Sequence, residues 1–173
     1  RIASECHVAG LQTGKAGMPE RPIKVRASAP GTVEFVVTAL EAVKVTQPYW
    51  VFENFDWRGA CANHDECEHA FHVAGRARGT IVLNNRIQDF NVHIKINGEG
   101  GAWPDDGLLQ YNTLSSAAAR ATRRPVSAVN LNGASGWQIA DNSVQRIVKG
   151  DGNRTSSGIC VKGAAQQVQV ERN

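Results

Sequence analysis

The chain has 173 residues, a formal net charge of +3 and 20% charged residues, a size and balance typical of one domain with an ordinary core. So small a net charge gives no field that would indicate nucleic-acid binding, and no run of 18 apolar residues predicts a membrane-spanning helix. We therefore expect a single β-rich domain over residues 1–173, either complete or a fragment of a longer surface protein, with neither a nucleic-acid partner nor membrane insertion.

Strand patterns begin after an irregular N-terminal segment. Residues 1–22 are polar and interrupted by glycine and proline, which predicts no regular structure there. From Ile23 onward apolar and polar residues alternate, and β-branched residues dominate the run that ends before Pro48. A proline at that position indicates a strand end, a bulge or an edge.

Four cysteines predict two disulfides and an oxidising compartment. Their even number and the absence of a C-x-x-C pair argue against a zinc finger. Cys61 and Cys67 flank a short polar loop, whereas Cys6 and Cys160 lie near the two ends of the sequence. We therefore predict the pairs Cys61–Cys67 and Cys6–Cys160, in a secreted or cell-surface protein.

The stretch CANHDECEHAFH, residues 61–72, adds three histidines and three acids to two of these cysteines. On a helix, His64, Glu68 and His72 would line one face and could bind a divalent ion. We favour a structural disulfide loop, because the chain downstream is β-patterned and a strand would point His69 and His72 to opposite faces. We accordingly expect no metal ion and no cofactor, with a metal site and a ligand-contacting loop as alternatives.

Two β-patterned runs around Asn84–Asn85 predict an antiparallel hairpin, because Asn tolerates the positive φ of a two-residue turn. The core-facing side of its second strand would be formed by Phe90, Val92, Ile94 and Ile96. The opposite face would carry Arg76, Arg78 and His93. Arginine binds carboxylates and sulfates at two points, so these three residues are our first candidate ligand patch. The alternative is a solvated strand face.

Glycines and acids surround Trp103 in residues 97–107, which predicts a loop. Trp103 could stack on a sugar ring while Asp105 accepts hydrogen bonds from its hydroxyls, which makes them a second candidate ligand patch. The alternative is a solvated turn that caps a following helix. The one short helix is expected at about residues 112–123, because Asn112 can cap it, alanines favour it and Pro125 would end it.

The remainder of the chain consists of short alternating runs separated by turn residues, which favours an antiparallel β-sandwich or barrel. The triplet Asn153–Thr155 matches the N-glycosylation pattern that a eukaryotic host would use. No serine lies on a G-x-S-x-G elbow, and we assign no catalytic residue.

The fold class predicted is therefore mainly β, an antiparallel sandwich or barrel with one short helix and two disulfides. The function predicted is non-enzymatic binding of an acidic glycan or a protein surface, as in an adhesin module. Its partners would be glycans, cell-surface proteins or further domains of the same protein. The alternatives are a small secreted hydrolase or toxin that uses the histidine and acid cluster, and an inhibitor-like or structural surface domain.

Overall fold

The computed structural model describes residues 4–150 and 156–173, which wind into a β-solenoid of six turns. Each turn contributes one short strand to each of three six-stranded sheets. Neighbouring strands run parallel in all three sheets. The mainly β prediction is confirmed, but the antiparallel sandwich or barrel is wrong.

The strands of each sheet come from successive turns. Sheet 1 contains β1 (Ser4–Val8), β4 (Val33–Val37), β7 (Asp56–Gly59), β10 (Arg86–Gln88), β13 (Thr113–Ser115) and β16 (Ser143–Gln145). Sheet 2 contains β2 (Leu11–Gln12), β5 (Glu41–Val45), β8 (His69–Ala74), β11 (Val92–Asn97), β14 (Val126–Asn132) and β17 (Ser156–Lys162). Sheet 3 contains β3 (Ile23–Arg26), β6 (Trp50–Glu53), β9 (Ile81–Leu83), β12 (Leu108–Gln110), β15 (Gln138–Ala140) and β18 (Gln169–Glu171).

The core is a set of apolar stacks that run along the solenoid axis. In sheet 3, for example, Phe52, Val82 and Leu109 occupy the same position of successive turns and are buried. Stacked residues lie one strand spacing apart, about 4.8 Å, so each covers the next. Full burial of such a side chain stabilises the fold by about 1.5–3 kcal/mol.

A ladder of asparagine side chains follows sheet 3 and joins four turns. Asn85, Asn112 and Asn142 are buried, and Asn173 continues the row at the solenoid end. The Oδ1 atoms of Asn112, Asn142 and Asn173 each accept a hydrogen bond from the backbone N–H of the asparagine one turn earlier, at 3.0 Å in each case. The amides thus satisfy backbone groups at a corner where no strand can pair with them.

The predicted hairpin at Asn84–Asn85 is wrong, because β9 and β10 belong to different sheets. Asn84 has a φ of 53°, and here the positive φ turns the chain from sheet 3 to sheet 1 instead of reversing it. The apolar side of the alternation is confirmed, since Val92, Ile94 and Ile96 are buried, but His93, expected on the polar face, is buried as well. Their neighbours are β8 and β14 of the adjacent turns, not a hairpin partner.

The helix expected at residues 112–123 is wrong, and the described residues contain no α-helix. Thr113–Ser115 forms β13, which pairs with β10 and β16. The side chain of Asn112 serves the ladder instead of capping a helix. The alanines at 117–119 lie in the connection after β13, where the tertiary context overrides their helix propensity.

Of the two predicted disulfides, Cys61–Cys67 is confirmed, with a Cα–Cα distance of 5.7 Å. Cys6–Cys160 is wrong, because both cysteines are free. Cys6 lies in the first turn and Cys160 in the sixth. Five strand spacings amount to about 24 Å, whereas a disulfide needs Cα atoms within about 7 Å.

The glycosylation triplet Asn153–Thr155 lies outside the described residues. Nowhere in residues 4–150 or 156–173 does a helix have the length and apolar character needed to cross a membrane.

Candidate ligand groove and histidine cluster

A polar row crosses the outer surface of sheet 2. It consists of Lys44, His72, Lys95 and Asn130, which occupy the same position in four successive turns. Their neighbours along the strands, such as Val45 and Ile94, face the core. The parallel register therefore aligns on one face polar groups that lie far apart in sequence.

Beside this polar row lies a groove of about 640 Å³, which we call the ligand groove. Its floor and walls come from the end of β11, from the loop that follows and from the end of β14. The lining residues are Lys95, Asn97, Gly98, Glu99, Gly100, Gly101, Ala102, Trp103, Asn132, Gly133 and Ala164. Three amide or ammonium side chains and one indole ring thus face a common space.

Trp103 is the dominant apolar surface of the ligand groove, and 49% of it is exposed. Its indole packs against the backbone of two loops. A Cβ atom added to Gly98 or to Gly133 would lie 2.8 Å from the indole Nε1. The close approach requires glycine at both positions, and at Gly133 a φ of +80° requires it as well. The ring is held in place while half its surface remains open to solvent.

The charges around the ligand groove are unequally neutralised. Lys44 Nζ lies 3.2 Å from Glu99 Oε2 and forms an ion pair. Lys95 Nζ instead donates to the neutral amide Oδ1 of Asn130, at 2.8 Å. Burial lowers the pKa of Lys95, and the nearby charge of Lys162 lowers it further. An anionic group in the groove would relieve this repulsion.

A second feature, the histidine cluster, lies at the other side of the polar row. It consists of Glu41, His69 and His72. Glu41 Oε1 lies 2.5 Å from His72 Nδ1 and 3.6 Å from His69 Nδ1, and the two imidazole rings stack with centroids 5.2 Å apart. Burial alone would raise the pKa of the Glu41 carboxyl, but the contacts with His69 and His72 outweigh it and hold that pKa well below its ordinary value.

The histidine cluster and the ligand groove share one hydrogen bond. His72 Nε2 lies 2.9 Å from Oδ1 of Asn97, which lines the groove. The amide orientation of Asn97 is set by its Nδ2, which donates to the carbonyl oxygen of Gly98 at 2.9 Å. His72 is therefore the donor to Asn97, and its position is coupled to one wall of the groove.

The structure overturns the expectation that strand geometry separates His69 and His72, because their rings stack. The set His64, Glu68 and His72 that a helix would have formed does not come together. His64 Nδ1 accepts from the backbone N–H of Ala121 at 2.7 Å, and Glu68 forms an ion pair with Arg124. Both contacts fasten the disulfide loop to the segment before β14.

The first predicted ligand patch is not assembled in the structure. His93 is fully buried, and its ring nitrogens face the carbonyl oxygens of Ser115 and Ser127. It cannot share a solvent-facing surface with Arg76 and Arg78, which are exposed in the connection between β8 and β9.

In the second predicted patch, the two residues lie in different settings. Trp103 lines the ligand groove, whereas Asp105 accepts a hydrogen bond from the backbone N–H of Ser135 at 2.7 Å. The sequence interpretation missed Lys95, Asn97 and Glu41. The signal that could have found them is their spacing from His72 of roughly one solenoid turn.

These features define a β-solenoid that carries a tryptophan-lined groove and a histidine–carboxylate cluster on one sheet. Comparison of the chain with protein-family models, with curated proteins and with solved structures found no match.

Proposed function

We propose that this chain is a glycan-binding module of a secreted or cell-surface protein, and that the ligand groove binds an acidic sugar. The observation that carries the proposal is the half-exposed Trp103 in a groove lined by amides and a lysine. An indole ring offers a rigid apolar surface to the face of a sugar at little entropic cost. Asn97 and Asn132 supply both donors and acceptors for hydroxyl groups.

The charges favour an acidic ligand over a neutral one. Lys95 and Lys162 repel each other, and the hydrogen bond that Lys95 donates within the described residues goes to the neutral amide of Asn130. A carboxylate or sulfate bound beside Lys95 would form a charge-assisted hydrogen bond there. The same contact would weaken with added salt, because the groove is open to solvent.

Binding is favoured over glycoside hydrolysis by the carboxylates. A glycosidase uses two carboxyl groups on either side of the scissile bond. The lining residues include one, Glu99, and it is already paired with Lys44. The disulfide Cys61–Cys67 is compatible with an oxidising compartment, which supports the secreted location.

The experiment compares acidic and neutral oligosaccharides on a glycan array, followed by calorimetric titration of the best ligand. We expect Trp103→Ala to weaken binding more than tenfold, as for an aromatic residue at the centre of a contact. Lys95→Met should reduce both the affinity and its salt dependence. Tyr111→Ala is the matched control, because Tyr111 is 57% exposed and does not line the groove.

Two results would contradict the proposal. One is a Trp103→Ala variant, folded by circular dichroism, that binds the ligand as tightly as the wild type. The other is a loss of binding in Arg76→Ala/Arg78→Ala with Trp103→Ala unaffected, which would move the site to the connection between β8 and β9.

A further inference from the structure

We propose that Glu41, His69 and His72 form a binding site for a borderline divalent metal ion of the Zn²⁺ type. The inference concerns the histidine cluster alone and does not depend on glycan binding in the groove. Two imidazoles and one carboxylate are ligands that Zn²⁺ uses in proteins, and a site with three protein ligands leaves a fourth position for water.

The first argument is the convergence of the donor atoms. One atom from each side chain lies within 4.8 Å of the other two. Ligands around a tetrahedral ion at bond lengths of about 2.0–2.1 Å lie about 3.3 Å from one another. The 3.6 Å between His69 Nδ1 and Glu41 Oε1 is already close to this value, and the 2.5 Å to His72 Nδ1 must widen by less than 1 Å.

The second argument is the hydrogen bonding of His72. Its Nε2 must donate to Asn97 Oδ1, because the Nδ2 of that amide is committed to Gly98. In the neutral imidazole, Nδ1 then carries a lone pair and faces the carboxylate of Glu41, which would repel it. Either a proton or a metal ion must lie between them. An imidazole that donates its far nitrogen to an oxygen acceptor has the outer-sphere arrangement common to metal ligands.

The third argument is the state of His69, which favours the metal over the proton. His69 is 8% exposed, and its buried Nδ1 has no hydrogen-bond partner among residues 4–150 and 156–173. The distance of 3.6 Å to Glu41 is too long for a hydrogen bond. A proton shared by His72 and Glu41 would leave this nitrogen unsatisfied, whereas a metal ion would use it as a ligand.

The flanking charges act against a cation and limit its affinity. Lys44 and Lys95 are the register neighbours of His72 on either side. Lys44 is neutralised by Glu99, so the net repulsion is mainly that of Lys95. This arrangement favours an anionic or hydroxide ligand at the open position.

The test uses untagged protein that has been stripped with a chelator. Zn²⁺ is titrated against a chromophoric chelator, and Co²⁺ is titrated in parallel to give a visible spectrum of a low-coordinate site. We expect one equivalent bound per chain, with at least a tenfold loss of affinity in His69→Ala, His72→Ala and the nearly isosteric Glu41→Gln. Asn97→Leu, which removes the acceptor for His72, should weaken binding about 10–100-fold.

The matched control is His7→Ala, because His7 is exposed and also contacts a carboxylate, that of Glu5. It should bind Zn²⁺ as the wild type does. The wild-type titration alone can overturn the proposal. If no stoichiometric Zn²⁺ binding is found, a proton and not a metal ion lies between His72 Nδ1 and the Glu41 carboxylate. Binding that survives in folded Glu41→Gln and His69→Ala, or that disappears in His7→Ala, would place the metal elsewhere.

Discussion

Replacement of Asn112 by alanine tests the asparagine ladder. The Asn112 side chain is buried; its Oδ1 accepts from Asn85 N–H at 3.0 Å, and its Nδ2 donates to the carbonyl oxygen of Val82 and to Asn142 Oδ1, both at 2.9 Å. Alanine would leave the buried N–H and C=O groups without this partner. Each such loss costs about 1–3 kcal/mol, so we expect the free energy of unfolding to fall by about 2–5 kcal/mol.

The matched control is Asn173→Ala, at the same ladder position but at the solvent-exposed end of the solenoid. Water can replace its amide, so the cost should be below about 1 kcal/mol. Urea denaturation followed by circular dichroism measures both variants, with equal m-values as the sign that the two-state comparison holds. Equal losses for Asn112→Ala and Asn173→Ala, or a loss below about 1 kcal/mol for Asn112→Ala, would refute the role of the ladder.

Two further predictions concern the cysteines and His93. Thiol titration of the unreduced, denatured chain should find two thiols, Cys6 and Cys160, and a count of zero would restore the second bridge. Reduction of Cys61–Cys67, which spans six residues, should cost about 2 kcal/mol in the loop-entropy model. Burial lowers the pKa of His93, so below about pH 6.5 the unfolded chain binds more protons than the folded chain. The free energy of unfolding should therefore decrease as the pH is lowered through this range, by at most about 1.4 kcal/mol per pH unit. His93→Gln should flatten this part of the curve of unfolding free energy against pH, and an unchanged slope would show that other groups cause it.

The sequence predicted the buried apolar residues of β11 but not which strands are its neighbours, and it placed the buried His93 on the solvent-facing side. Burial in β11 follows from alternation between adjacent residues, so Val92, Ile94 and Ile96 could be assigned to the core correctly. Pairing in a solenoid depends instead on residues one turn away. The ladder residues Asn85, Asn112, Asn142 and Asn173 are separated by 27, 30 and 31 positions. Because the turns differ in length, no fixed period appears in the sequence.

The histidine cluster shows why the alternation of side chains along a strand was a poor guide to the site. Regular alternation is interrupted between the two histidines, because the consecutive residues Ala70 and Phe71 are both fully buried. The rings of His69 and His72 stack with their centroids 5.2 Å apart. The third member, Glu41, lies 31 residues before His72.

The dense stretch of histidines and acids forms, in its first half, the structured disulfide loop that the sequence predicted. Residues 61–72 concentrate histidines and acids, yet His64 and Glu68 hold the disulfide loop in place by contacts with the chain at 121 and 124. A solenoid contributes about one side chain per turn to any point on its surface, because each turn crosses that point once. A functional cluster on such a fold must therefore draw residues from several turns, and local density in sequence is a stronger indication of a structured loop than of a site.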